Sequence, residues 1–418
     1  MKSKQKMKLR SNKILALFRV FSWDLVFFYS FSVLFLTQIK GFSEAEIMYT
    51  SAVIALVPIL LQYPFNLVAK KIGPLASVRL GMFCFLAFTA GILIYENVVL
   101  LYLNYCLYAI GAIFLVPNVS VLAINNLKVE GKDGEFSRLE GRGAGVYYII
   151  NAVASIGLGY LFDVNAYLTM SFAVMASVVG VILSFVIRDE EKFAGNLPEQ
   201  TLPPKEEEIP QKAKKKKTVG LAMIYLLLIS TSFYGLIMLE NNIKQLLFQE
   251  VLFSATAIGW ISFGVSIVKS ASCEVFKFFK HKAKLFITIV PLFYFAILLA
   301  MAIIFLLVDN LLALQIMVII VSALFPFFNE PFKIGAKDYI RQTVPEKEQV
   351  DAYSNLFVVR NISQLFYSFF IGTLLTGMSL SSSLLYIVAV GGGMYAIAQI
   401  TYFVIKKVRA KKNSVFLQ

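Results

Sequence analysis

Arg188-Asp-Glu-Glu-Lys192, Leu202-Pro-Pro-Lys-Glu-Glu-Glu208 and Lys214-Lys-Lys-Lys217 all fall in one stretch, residues 188–218, unlike anything around it. It is charged, rich in proline and almost free of aromatics, a composition that cannot bury enough apolar surface to order itself. Six long apolar runs precede it, at residues 14–38, 45–68, 76–95, 98–124, 143–162 and 166–187. Six follow, at 219–239, 254–276, 285–308, 311–332, 352–377 and 380–405. A helix needs about 20 apolar residues to cross a bilayer, and most of these runs meet that length. The expected organisation is therefore a six-helix bundle over 1–187, a cytoplasmic linker over 188–218 and a second six-helix bundle over 219–418.

The basic residues give these runs their direction. Of 39 Lys and Arg, 34 lie in the two tails and in every second gap between runs or the turn beside it. The other gaps hold only Lys40 and Lys244, and Arg19, Lys269 and Arg360 lie inside runs. Cytoplasmic loops retain Lys and Arg, so both termini and the central stretch are expected in the cytoplasm, with the chain in the cell membrane. Only 15% of residues are charged and 58% are hydrophobic, against about 25% charged in a soluble chain. Alternating strand-length segments are absent, which argues against a β-barrel. The net charge of +14 is dispersed over short loops and tails, where it meets anionic lipid headgroups rather than nucleic acid. Cys84, Cys106 and Cys273 fall in apolar runs and imply no disulfide framework.

The two sets of six runs echo each other. Phe42-Ser43-Glu44-Ala45-Glu46-Ile47 opens the second run and Phe253-Ser254-Ala255-Thr256-Ala257-Ile258 opens the eighth. A basic turn follows each, at Lys70-Lys71 and at His281-Lys282. Placement at the start of the second helix of each half points to duplication, and parallel repeats are one plan by which transporters are built. With Gly111 and Pro117 on the fourth run and Gly157-Leu158-Gly159-Tyr160-Leu161-Phe162 closing the fifth, the whole chain resembles the major facilitator superfamily. That resemblance implies an all-α polytopic membrane protein of 12 transmembrane helices, with a substrate site between two six-helix bundles. Departures accompany it. Where the family has an acid in the turn after helix 2, this chain has Lys70, followed by Lys71 and Gly73, a degenerate form of the gate turn. Asn104 stands where many members carry an Arg on helix 4, and the Gly-Pro pair of drug/proton antiporters is missing from helix 5.

Charge inside a bilayer costs roughly 2.5–3.5 kcal/mol per residue near a helix centre, so each instance needs a cavity or a partner. Asp24 lies about 16 Å from the start of its run. A carboxyl that alternates between water and protein can bind and release a proton, and Asp24 is the expected proton-coupling residue. Arg19, Trp23, Asn104, Lys269, Glu330, Arg360 and Gln364 are the candidates for substrate contact or gating. Each has a structural alternative. Arg19 can reach the inner surface, Trp23 can simply pack, and Asn104 or Gln364 can tie helices together. Glu330 sits in Pro326-Phe-Phe-Asn-Glu-Pro331 and can pair with Lys333 three residues on or meet Lys269 and Arg360 from neighbouring helices. Glu240 and Lys244 read as a surface pair by the outer end of helix 7.

The function expected is secondary active transport of a small solute by alternating access, coupled to protons through Asp24, as symport or antiport. A drug efflux antiporter is the nearest alternative; a transporter-like sensor and an intramembrane enzyme are further ones. The single histidine, His281, lies in a basic turn, and neither a His-Glu-x-x-His nor a Gly-x-Ser-x-Gly motif occurs, so the chain is not expected to be an enzyme. No nucleotide-binding loop and no cofactor or metal is expected. The expected partners are the solute, protons and membrane lipid, and the chain is expected to act as a monomer.

Overall fold

The computed structural model describes residues 14–15, 17–22, 25, 27–129, 136–188, 220–279 and 283–415, apart from the side chains of 128–129, 136–144, 273–279, 346–347, 349–351 and 409–415. No strand occurs among them. A short helix α1 (Ser32–Leu34) and a π-turn (Phe35–Ile39) precede α2 (Glu44–Ile72), α3 (Pro74–Ile94), α4 (Val98–Val129), α5 (Phe136–Val164) and α6 (Ala166–Val186). The second half holds α7 (Leu221–Glu250), α8 (Ala255–Phe279), α9 (Ala283–Leu307), α10 (Leu311–Thr343), α11 (Glu346–Leu375) and α12 (Leu380–Val415). Ten of these are long and apolar enough to span a membrane. In α8 the serines 262, 266, 270 and 272 and Lys269 dilute the hydropathy. Large apolar side chains such as Ile94, Val164, Leu307 and Ile397 point outward, as lipid-facing positions do.

The echo between the halves has a local physical cause. Ser43 caps α2: its Oγ accepts from the Glu46 amide at 3.3 Å while the Glu46 carboxylate accepts from the Ser43 amide at 2.8 Å, a reciprocal capping box. Ser254 caps α8 in the same way, its Oγ accepting from the Ala257 amide at 3.2 Å. The packing repeats as well. Between the halves, α2 lies against α11 and α5 against α8, and exchanging the halves turns the first pair into the second.

Three helices depart from their apolar runs. The first run is not one helix: after helical residues 14–15 and 17–22 the chain passes through a turn at 27–31 into α1 and the π-turn. Phe27 there has φ 67°, a left-handed conformation that an aromatic residue rarely adopts. Helix α7 continues eleven residues beyond the run that ended at 239, and α10 continues eleven beyond 332. Both continue because polar residues in a helix facing other protein need not end it. The central stretch anticipated as a linker lies outside the described residues from 189 to 219.

Candidate substrate cavity

The halves touch at one end, and the hydrogen bonds that join them among the described residues lie there. Tyr49 and Thr373 share a hydroxyl contact of 3.4 Å, Gln364 donates to the Ser51 carbonyl at 3.3 Å, and Asn242 donates to Ser51 Oγ at 2.9 Å. On the other seam Asp163 accepts from both the amide and the hydroxyl of Thr256, at 3.0 and 2.6 Å, and Ser155 donates to the Gly259 carbonyl at 3.0 Å. Backbones approach so closely that a Cβ placed on Gly159 would sit 2.7 Å from the Ala255 carbonyl oxygen. The opposite end carries Lys70, Lys71 and Gly73. Both lysines are exposed and without an ion pair among the described residues, and Gly73, at φ 86°, ends α2 by donating to the Ala69 carbonyl at 2.9 Å. Leu60, Tyr63 and Leu67 are exposed along that part of α2.

Helix α7 organises the interior through two polar stripes, each built on the four-residue spacing that aligns side chains on one face. Asn241, Gln245 and Gln249 face the first half. Gln245 Oε1 accepts from the Val33 amide at 3.0 Å, Asn241 donates to the Tyr29 carbonyl at 3.0 Å, Gln245 donates to the same carbonyl, and Gln249 accepts from Thr37 at 2.9 Å. Asn151 on α5 completes the set by accepting from the Phe27 amide at 2.9 Å. Backbone groups released by the break in the first run are thus satisfied from both halves, as irregular backbone at membrane depth requires.

Glu240 and Lys244 form the other stripe. They are not a surface pair: both are buried, at 4% and 5% exposure, and no ion pair joins them. Hydropathy ended the run at 239 because Glu240 follows, and so misplaced a charge that the tertiary fold encloses. One Glu240 oxygen accepts from Asn329 Nδ2 on α10 at 2.6 Å; the other lies 3.9 Å from Lys269 Nζ on α8. Glu330 pairs with Lys333 at 2.9 Å, so Lys333 belongs to the interior rather than to a loop. Arg360, near the middle of α11, has its guanidinium 4.3 Å from the Phe357 ring centroid and a buried Nε with no acceptor. Tyr234 of α7 is buried against Phe332. The Tyr108 hydroxyl lies 2.7 Å from that of Tyr29.

The remaining candidates are dispersed. Arg19 is buried and donates to Ser120 on α4 at 3.3 Å. Asn104 donates to the Phe88 carbonyl on α3 at 2.9 Å and so ties two helices of one bundle. Gln364 sits at the closed end rather than in the cavity. Trp23 and Asp24 lie outside the described residues. Sequence reasoning missed Asn329, Tyr29, Tyr108 and Tyr234; uncharged groups in apolar runs leave no mark in hydropathy.

No family model matches the chain, and no curated protein sequence matches it. Solved structures do. A mutant of the peptide transporter POT, in complex with alafosfalin, superposes with a TM-score of 0.71 at 13% identity, covering 97% of this chain and 95% of that one. The major facilitator fold is shown. The nucleoside transporter NupG gives 0.69 at 11% identity over 96% and 99% of the two chains. The xylose transporter XylE from E. coli, in an inward open conformation, gives 0.63 at 10% over 94% and 96%. The twelve-helix, two-bundle plan of the major facilitator fold therefore holds here, in a multi-pass integral membrane protein.

Proposed function

We propose that the protein is a secondary active transporter that moves a small solute by alternating access and couples it to protons. The observation that carries this reading is the asymmetry of the cavity. Two halves meet at one end through short polar contacts, and the second half encloses the charges Glu240 and Lys244 behind them. Such a geometry exposes a central site to one side at a time. The open end carries Lys70, Lys71, Arg188, Lys284 and Arg341. The positive-inside bias makes that end cytoplasmic, so the conformation is inward-facing and both termini lie in the cytoplasm of a cell-membrane protein. Six helices lie on each side of residues 188–218, which act as the tether. Proton coupling is assigned to Asp24, beside the break in the first run.

The test is flux into proteoliposomes under an imposed pH gradient. Gradient-driven accumulation that Asp24→Asn abolishes, with solute exchange retained, is the expected result. Unchanged gradient-driven uptake in that variant removes Asp24 from coupling, and turnover of a solute without vectorial movement removes the transporter reading itself.

A further inference from the structure

We propose that the cavity takes an organic oxyanion, a carboxylate or phosphate on an apolar body, and that Arg360 holds its charged end. The proposal rests on the transport reading above and names the class of solute.

Within the helices of the second half the described residues set four cations, Lys244, Lys269, Lys333 and Arg360, against two carboxylates, Glu240 and Glu330. Lys333 has Glu330, and Lys269 has Glu240. Lys244 has no ion pair among the described residues, but it is buried one turn beyond Glu240 toward the closed end of α7. Arg360 has no carboxylate among the described residues. Its Nε is buried without an acceptor, and the group stabilising its charge is the face of Phe357. A cation over an aromatic ring gains about 0.5–2 kcal/mol, and the buried Nε still keeps a donor without an acceptor. A ligand that brings its own negative charge removes that deficit.

The position and the chemistry agree. Arg360 lies near the middle of α11, the helix that packs on α2 of the other half. The planar guanidinium fork matches the two oxygens of a carboxylate or phosphate. Phe357 beside the guanidinium supplies an aromatic surface for an apolar body, in keeping with the mostly apolar lining of small-molecule sites.

The experiment is arginine modification of the detergent-purified full chain by phenylglyoxal, read at Arg360 by peptide mass spectrometry. The probes are benzoate, phenyl phosphate and benzenesulfonate, with neutral benzamide as the control. Modification in the free protein is expected, slowed about ten-fold by at least one aryl anion at about ten times its Kd and left unchanged by benzamide. The stronger protector among benzoate and phenyl phosphate assigns the headgroup. No protection by any of the three anions, or equal protection by benzamide, overturns the proposal. So does an Arg360 that phenylglyoxal never reaches, because a site closed to that small dicarbonyl admits no aryl anion. Failure of the transport reading looks different: protection would persist while proteoliposomes show no vectorial anion movement.

Discussion

The first helix of each half occupies an equivalent place in the duplicated plan, yet the two are built oppositely. In the first half the chain breaks at residues 27–31, with Phe27 at φ 67°. In the second half α7 runs unbroken from Leu221 to Glu250. The intact helix carries the polar side chains that the broken one needs: Gln245 and Asn241 take up the Val33 amide and the Tyr29 carbonyl. One copy has lost its own backbone pairing and depends on the other copy for it. The difference teaches that the two bundles are joined by unsatisfied backbone as well as by packing, and only in the conformation closed at this end.

The comparison breaks most completely if the charged stripe of α7 is removed. Glu240→Ala leaves Lys269 without its carboxylate and Asn329 without its acceptor. Breaking a buried pair from one side costs about 3–5 kcal/mol. A large fall in the detergent unfolding temperature is expected, with much of it recovered in Glu240→Gln/Lys269→Gln. A single variant as stable as the parent would show that the 3.9 Å contact contributes nothing.

Loss of the neutral stripe should cost less and act elsewhere. Gln245→Leu strips the Val33 amide of its acceptor, and a buried group left unpaired costs about 1–3 kcal/mol. The closed end should loosen, so that cysteines introduced at Tyr49 and Thr373 cross-link more slowly than in the parent background. An unchanged cross-linking rate would mean that helix 7 does not hold helix 1 in place.

Smallest of all should be Asn104→Leu, which removes one hydrogen bond within the first bundle, about 1 kcal/mol. Stability should drop slightly while the Tyr49–Thr373 cross-linking rate stays the same. A changed rate would mean that contacts inside a bundle, and not only those between bundles, set the closed state.

The all-helical, membrane-spanning plan was legible because hydropathy is a property of whole segments, insensitive to which side chain meets which. The duplicated Phe/Ser/Ile echo was legible too, for a reason that the caps at Ser43 and Ser254 make concrete. The interior was less so. Glu330 with Lys333 follows from three-residue spacing alone, but Glu240 with Lys269 and Asn329 joins three helices across 89 residues of chain, and no spacing announces it. Arg360 was visible as a charge in an apolar run; that its guanidinium rests on Phe357 with a buried Nε lacking an acceptor was not. The break at Phe27 was hidden because Leu25 to Phe35 reads as an apolar run like any other.

The seam between α5 and α8 carries a consequence for how the molecule changes shape. Ser155, Gly159, Ala255 and Gly259 present little more than main chain to each other. Interlocked side chains act as teeth that must disengage before two surfaces slide; smooth surfaces need no such step. Once Asp163 releases Thr256, this stretch can therefore serve as a bearing, and each methyl group grafted onto it would be grit.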